Sequence, residues 1–287
     1  PGHDADREQR TFGHGEHLSR RAMDVAYEAG YEGVCSCDGG YNFHGDDPFH
    51  LLRTPIDDSM SHLKNCASVD PRKIDVIHLG VDHSLFKPAR DTPALLDCRQ
   101  RYDLPDKYLL FVGPFERRRN AEAGLEALAA LRREGLASGC GAVLVGLKNE
   151  YGRKLEALAR SLGLAKDTVF TGFVPREDLP LLYGQALAFV HPEHYDGFSL
   201  QLLEAMACGA PALVSDAPAL TEISGDAALV ARTDARDVAR ELARVFKEPG
   251  LAAQLRTRSL TRAALFSWRR TAEQTVAVYE KAFAGRP

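Results

Sequence analysis

Residues 74–287 predict a doubly wound α/β domain built on a parallel sheet. Three observations predict it. Short, continuous apolar runs alternate with segments of helical period. The runs lack the polar alternation of a half-exposed strand, which means a sheet covered on both faces. Several of the runs end at a glycine or a glycine-bearing loop, where a tight turn and close backbone approach to a ligand are possible.

In order, Ile74–Leu79 (IDVIHL) is expected as a strand, and Lys107–Val112 (KYLLFV), followed by Gly113, as the next. Residues 120–134 carry Ala and Leu at three and four spacing and read as a helix. Residues 141–145 (GAVLV) form a strand ending at Gly146, and 150–162, rich in Leu, Ala and Arg, form a helix. A strand at 168–171 precedes Gly172; a short helix at 177–184 leads to a strand at 187–191 (LAFVH). Residues 200–208 form a helix stopped by Gly209, residues 211–214 and 229–230 form strands, and 235–247, 251–262 and 271–283 form helices.

Residues 1–73 read differently. They carry a net charge of −5 and six of the ten histidines, whereas the remainder is nearly neutral at +1. A helix over 19–29, capped by Ser19 and stopped by Gly30, and a strand over 33–37 are the elements expected there; 39–48 reads as loop. So few elements cannot enclose a core, so this piece is expected to be an incomplete α/β segment of something larger. The domain division is therefore 1–73 and 74–287.

Composition excludes several classes. A net charge of −4 argues against a nucleic-acid or membrane-surface binder. The six cysteines are scattered, which fits a reducing, cytoplasmic setting, and Cys35 and Cys37 read as packing residues rather than metal ligands. No apolar run is long enough for a membrane span, and no secretory leader opens the chain. The chain starts at Pro1 rather than Met, as a fragment would.

The most informative stretch is His191-Pro-Glu-His-Tyr-Asp-Gly-Phe-Ser-Leu-Gln-Leu-Leu-Glu-Ala-Met-Ala-Cys-Gly-Ala-Pro211. A strand runs through a polar loop into a helix, whose first amides, around Ser199 and Leu200, make an anion site. Asp196 stands just before that site. Glu204 lies on the same side of the helix as Leu200, four residues on. A diphosphate held between two polyols matches this order: sugar at Asp196, phosphates at the helix start, ribose at Glu204.

This stretch resembles the signature of the retaining GT-B glycosyltransferases, Glu-x7-Glu set in E-G-F-G-L-P-x-L-E-A-M-A-C-G-x-P. Here it is Asp196-x7-Glu204, with Gly197, Phe198 and Leu200 matching and Ser199 and Gln201 in place of Gly and Pro. The resemblance implies that Asp196 contacts the donor sugar and Glu204 the ribose. Residues 76–88 are similar to the V-I-P-N-G-V-D-x-x-x-F-x-P segment that opens the family's donor domain; Gly80 matches and His78-Leu79 depart. Residues 111–120 are similar to F-V-G-x-x-E-x-R-K-N. Gly113 matches, and Arg119 takes the place of the lysine that grips the donor diphosphate. An arginine frequent after that glycine is here Pro114, so a weaker clamp is expected unless Arg117 or Arg118 substitutes. Residues 169–175 match the segment whose backbone reads the base, with Phe173 and Val174 lining the slot; Trp268 matches the terminal helix motif.

The resemblance implies a Rossmann-like C-terminal domain of the GT-B fold. It implies transfer of a hexose from a nucleoside diphosphate sugar to a glycan or lipid-linked acceptor, with retention, in polysaccharide or cell-envelope biosynthesis. The catalytic group is then Asp196, Glu204 and Arg119. The donor-binding group is Gly80, Gly113, Arg118, Gly146, Phe173, Val174, Gly197, Phe198, Ser199 and Leu200. No cofactor and no metal are implied, since cations and helix amides neutralise the phosphates. An N-terminal acceptor domain or a partner chain is implied as well. The alternative is a non-catalytic nucleotide-sugar-binding module.

Residues 1–73 resemble the C-terminal part of a polysaccharide deacetylase, through Thr11-Phe-Gly-His-Gly-Glu-His17, Ala29-Gly-Tyr31 and Asp47-Pro-Phe-His-Leu-Leu-Arg53. The Asp-Asp and His-x3-His metal motifs of that family do not precede Thr11, and His14 and His17 read as loop. A metal-dependent deacetylase is therefore the least favoured function.

Overall fold

The computed structural model describes residues 34–36, 50–52, 75–89 and 93–284. The chain divides into two compact units, Pro1–Asp75 and Val76–Pro287. In the first, β1 (Val34–Ser36) pairs in parallel with β2 (His50–Leu52), with Val34 opposite His50. The strand expected over 33–37 is thus present. The helix over 19–29, the loop over 39–48, the histidines at 14 and 17 and the side chains of Cys35 and Cys37 lie outside the described residues.

The second unit is a six-stranded parallel sheet in the order β5-β4-β3-β6-β7-β8. Its strands are β3 (Lys107–Val112), β4 (Cys140–Val145), β5 (Thr168–Gly172), β6 (Ala188–His191), β7 (Ala212–Ser215) and β8 (Ala228–Ala231). They alternate with α1 (Pro93–Arg101), α2 (Ala121–Arg133), α3 (Glu150–Ser161), α4 (Leu179–Gln185), α5 (Leu200–Ala207), α6 (Pro218–Ser224), α7 (Ala235–Lys247), α8 (Leu251–Ala263) and α9 (Trp268–Ala284). The α/β, Rossmann-like architecture expected from the apolar runs is the one observed.

The inner strands β3, β4, β6 and β7 are strands because both of their faces are covered. Tyr108, Leu110, Val143 and Phe189 enter one core, with Leu202, Leu203 and Met206 of α5. Leu109, Leu144, Ala188 and Val190 enter the other, with Leu125 and Leu128 of α2 and Val238 and Leu242 of α7. A fully buried leucine contributes roughly 1.5–3 kcal/mol, so neither face can be left uncovered cheaply. Caps fix the helix starts: Asn149 accepts from Gly152 N at 2.8 Å, and Asp234 from Asp237 N at 2.9 Å. Gly209, at φ 72°, stops α5 in the left-handed conformation that glycine takes without strain.

The strand expected over 74–79 is not formed. Residues 75–80 are irregular, and only Val81 makes a bridge, with Ser267. The segment runs beside the start of α9 rather than joining the sheet. Thr271 Oγ1 donates to His78 O at 2.7 Å, and Val81 N to Phe266 O at 3.5 Å. A β-carbon on Gly80 would fall 2.0 Å from Trp268 N, so only glycine fits this crossing. Helix α9 starts three residues before the expected 271, and α1 and α6 are helices that the apolar pattern did not indicate. Among the described residues no helix is long and apolar enough to cross a membrane.

Candidate active site

Strand order reverses between β3 and β6: β4 and β5 lie to one side, β7 and β8 to the other. The loops leaving two such strands diverge and open a crevice beyond their carboxyl ends, the usual ligand position in this class of sheet. Here the crevice is bounded by 113–119 after β3 and 192–199 after β6. A recess at that place is lined by Gly113, Phe115, Glu116, Arg119, His191 and Glu193.

Glycines let the strand ends close up. A β-carbon on Gly146 would fall 2.3 Å from Gly113 O, where Gly113 N donates to Val145 O at 3.0 Å. Gly113 itself has φ 137°, a conformation open essentially to glycine alone. The chain then makes one turn of 3₁₀ helix, Arg117–Arg119, and enters α2 through Asn120, which holds φ 52°. Asn tolerates this left-handed conformation better than most residues. Its buried side-chain amide donates to Pro192 O at 2.9 Å and to Thr233 O at 2.7 Å.

Arg119 is thereby aimed across the crevice. It forms a close ion pair with Glu193 and lies 3.8 Å from Asp196 Oδ2. Arg118 Nη1 reaches the other oxygen of Glu193 at 3.2 Å, and its Nε donates to Glu116 at 2.8 Å. Arg119 Nε is buried and has no hydrogen-bond partner, which leaves one donor of the fork unspent.

His191 stands at the end of β6, stacked on Phe189 at 5.2 Å. Its Nε2 lies 2.8 Å from Ser199 Oγ, 3.1 Å from Glu193 Oε1 and 3.4 Å from Asp196 Oδ2. All three oxygens crowd one ring nitrogen, so this is no Ser-His-Asp triad, which needs the carboxylate on the opposite nitrogen. Ser199 has φ 70° and caps α5, accepting from Leu202 N at 3.3 Å. Asp196 accepts from Phe198 N at 3.2 Å. Burial would raise the Asp196 carboxyl, but the His191 hydrogen bond, the Phe198 amide and the charges of His191 and Arg119 hold it down to about 2. It is therefore a fixed carboxylate at neutral pH. Burial raises the Glu193 carboxyl, and the neighbouring cations offset this only in part.

Glu204 belongs to a second group. Tyr183, fully buried, donates to its Oε2 at 3.5 Å, and Arg176 Nη2 lies 3.8 Å from its Oε1. Burial lifts this carboxyl to about 7, against the Arg176 charge and the Tyr183 hydrogen bond. A chain of ring contacts joins the two groups, since Tyr183 packs edge-on to Phe189 at 5.6 Å and Phe189 lies on His191.

Of the residues singled out in the sequence, Gly113, Arg118, Arg119, Asp196 and Ser199 come together in one cluster. Glu204 lies in its neighbour group, on the same helix as Leu200. Gly197 is exposed with open space around it, and Phe198 packs between His78 and Phe266. Phe173 is 71% exposed, whereas the side chain of Val174 is buried in the core, so only its backbone can face a ligand. Sequence reasoning passed over Glu193, His191, Tyr183 and Arg176. The signal for the first two was their position at the carboxyl end of a strand, where side chains meet ligands. His191, Glu193 and Asp196 offer ligand atoms within 4.8 Å of one another. Two of these three, Glu193 and Asp196, also face the Arg119 guanidinium.

Known proteins resemble this chain in sequence and in fold. The chain is 34% identical over 181 residues to a serotype-specific mannosyltransferase of Escherichia coli, covering 62% of this chain and 22% of that protein. It is 33% identical over 239 residues to the O-antigen chain mannosyltransferase B of Escherichia coli, covering 82% of this chain and 61% of that one. It thus spans less than two thirds of the length of these relatives. Among solved structures, the sucrose-phosphate synthase of Thermosynechococcus elongatus superposes with a TM-score of 0.63 at 29% identity, over 73% of this chain and 53% of that chain. Residues 99–262 match the family described as glycosyl transferases group 1, more than half of the chain, and the chain belongs to that family.

Proposed function

We propose that this chain carries the nucleotide-sugar-binding half of a retaining hexosyltransferase. The donor is a nucleoside diphosphate sugar and the acceptor a glycan or lipid-linked saccharide in polysaccharide or cell-envelope biosynthesis. The observation that supports this reading is the meeting of Arg119 with Asp196 just before the start of α5, with Glu204 one turn further along the same helix.

In this reading the bond from the anomeric carbon to the diphosphate oxygen breaks, and its electron pair leaves on the diphosphate. Arg119 and the amides opening α5 stabilise that charge where it develops. Asp196, ionised at neutral pH, accepts hydrogen bonds from the sugar hydroxyls. Glu204 accepts from the ribose diol, with Arg176 beside it to favour the ionised form. The acceptor hydroxyl oxygen bonds to the anomeric carbon on the face the diphosphate leaves and gives its proton to the departing diphosphate oxygen, which preserves configuration. The acceptor-side groups come from an N-terminal domain or a partner chain. The names of the two Escherichia coli relatives support a mannose donor.

The test is calorimetric titration of GDP and UDP into the protein and into Glu204→Ala. Binding by the wild type that is lost in the variant is the expected result; equal binding by both would sink the ribose assignment.

A further inference from the structure

Glu193 is fully buried, and both of its carboxylate oxygens are engaged by cations. Oε1 meets Arg119 and His191, and Oε2 meets Arg118. Its backbone is anchored as well, because Ser215 Oγ donates to Glu193 O at 2.5 Å and the preceding Pro192 O is held by Asn120. The main chain carrying the carboxylate is therefore fixed, and full burial leaves the side chain little room to swing. If this contact opens, the arginines must move, and Arg118, with 41% of its side chain exposed, has room to do so.

The charge count sharpens the point. The guanidinium groups of Arg118 and Arg119 face three carboxylates, Glu116, Glu193 and Asp196, so even with the charge of His191 the cluster carries no surplus with which to attract a dianionic diphosphate. Arg119 already spends its Nη1 on an internal anion, with only its Nε left unpartnered.

We infer that Glu193 is a built-in competitor for the diphosphate: it holds Arg119 and Arg118 in the empty protein, and a donor binds by taking Arg119 from it. This rests on the reading of Arg119 as the diphosphate grip. Its consequence is that Glu193 weakens binding of donor and of the nucleoside diphosphate product alike, so that product leaves readily. A residue that merely braced Arg119 would have the opposite effect, since its loss would weaken binding.

The experiment titrates GDP-mannose, UDP-glucose and inorganic pyrophosphate into the wild type, Glu193→Gln, Glu193→Ser and the double variant Glu193→Gln/Arg119→Ala. Both single variants are expected to bind the preferred nucleotide sugar about tenfold more tightly than the wild type, the scale of one charge-assisted pair released. The double variant is expected to lose that gain. Unchanged or weaker binding by two single variants that still melt cooperatively overturns the inference while leaving the nucleotide-sugar reading intact. Tighter pyrophosphate binding by Glu193→Gln, with no nucleotide sugar bound by any form, upholds the competitor and removes the nucleotide-sugar reading. Absence of any binding by every form removes both. If neither single variant melts cooperatively, a structure of the wild type with GDP or UDP decides. Arg119 turned from Glu193 onto the phosphates supports the inference, and Arg119 still paired with Glu193 beside a bound diphosphate ends it.

Discussion

Arg119 lies against Gly113: a β-carbon there would sit in van der Waals contact with it, 3.4 Å from the central carbon of its guanidinium. The cation thus rests on the turn that this glycine makes after β3. Gly113→Ala should therefore act twice. At φ 137° the alanine should cost about 1–3 kcal/mol in backbone strain, read as a lower urea midpoint. The strained turn should also shift Arg119, which rests on it, and weaken nucleoside diphosphate binding about tenfold, the scale of a lost charge-assisted contact. An alanine variant with unchanged nucleotide affinity would show that Gly113 serves the turn alone.

Removing Arg119 leaves the buried Glu193 carboxylate short of its main partner. Arg119→Ala should destabilise the fold by roughly 3 kcal/mol, as uncompensated buried charges do. Glu193→Gln in the same chain should restore most of that loss. A double-mutant cycle by chemical denaturation measures the coupling. Additive single effects would mean that the two groups do not depend on each other.

Glu204 gives the fold a pH dependence of predictable sign. Its carboxyl is raised to about 7 in the folded chain, above its ordinary value of 4.5. Between those values the folded chain holds a proton that the unfolded chain has released, so stability falls as pH rises through the window. Above it the ionised, buried carboxylate costs about 3 kcal/mol. Glu204→Gln should raise the melting temperature at pH 8 and leave it nearly unchanged at pH 4. Melting curves of both proteins across that range provide the check, and parallel curves would refute it.

Ser199 holds a left-handed conformation at φ 70° while its hydroxyl caps α5 and meets His191. Glycine would relieve the strain but lose the cap, whereas alanine would keep the strain and lose the cap. Ser199→Ala should thus destabilise by about 1–2 kcal/mol and Ser199→Gly by less, the reverse of the usual helix ranking. Guanidinium titrations of the two variants settle the order.

The fold was legible wherever burial had written a continuous pattern. Lys107–Val112 and Ala235–Lys247 have the expected bounds because one is covered on both faces and the other presents a single apolar stripe. Helix α1 buries only Cys98, so its sequence carries little periodic signal. Helix α6 is seven residues long and opens on a proline that also reads as loop. Ile74–Leu79 looks like a strand by composition, yet what places 75–80 is a crossing partner nearly two hundred residues away, which no local window contains. At the site, Asp196 was visible as an acid standing just before a helix start, and Arg119 through the family resemblance. The inward turn of Glu193 was not, because a glutamate two residues past a strand is written alike whether it points to solvent or into a ring of cations.

The side-chain amide of Asn120 joins three loops of the crevice, since it sits after β3 and holds one carbonyl after β6 and another after β8. A shared tether of this kind makes loop length a joint property. Lengthening any one of these connections by a residue would pull its carbonyl off the common donor and loosen the other two, so insertions at this end of the sheet should be tolerated beyond the tether, toward the loop tips, and not between it and the strands.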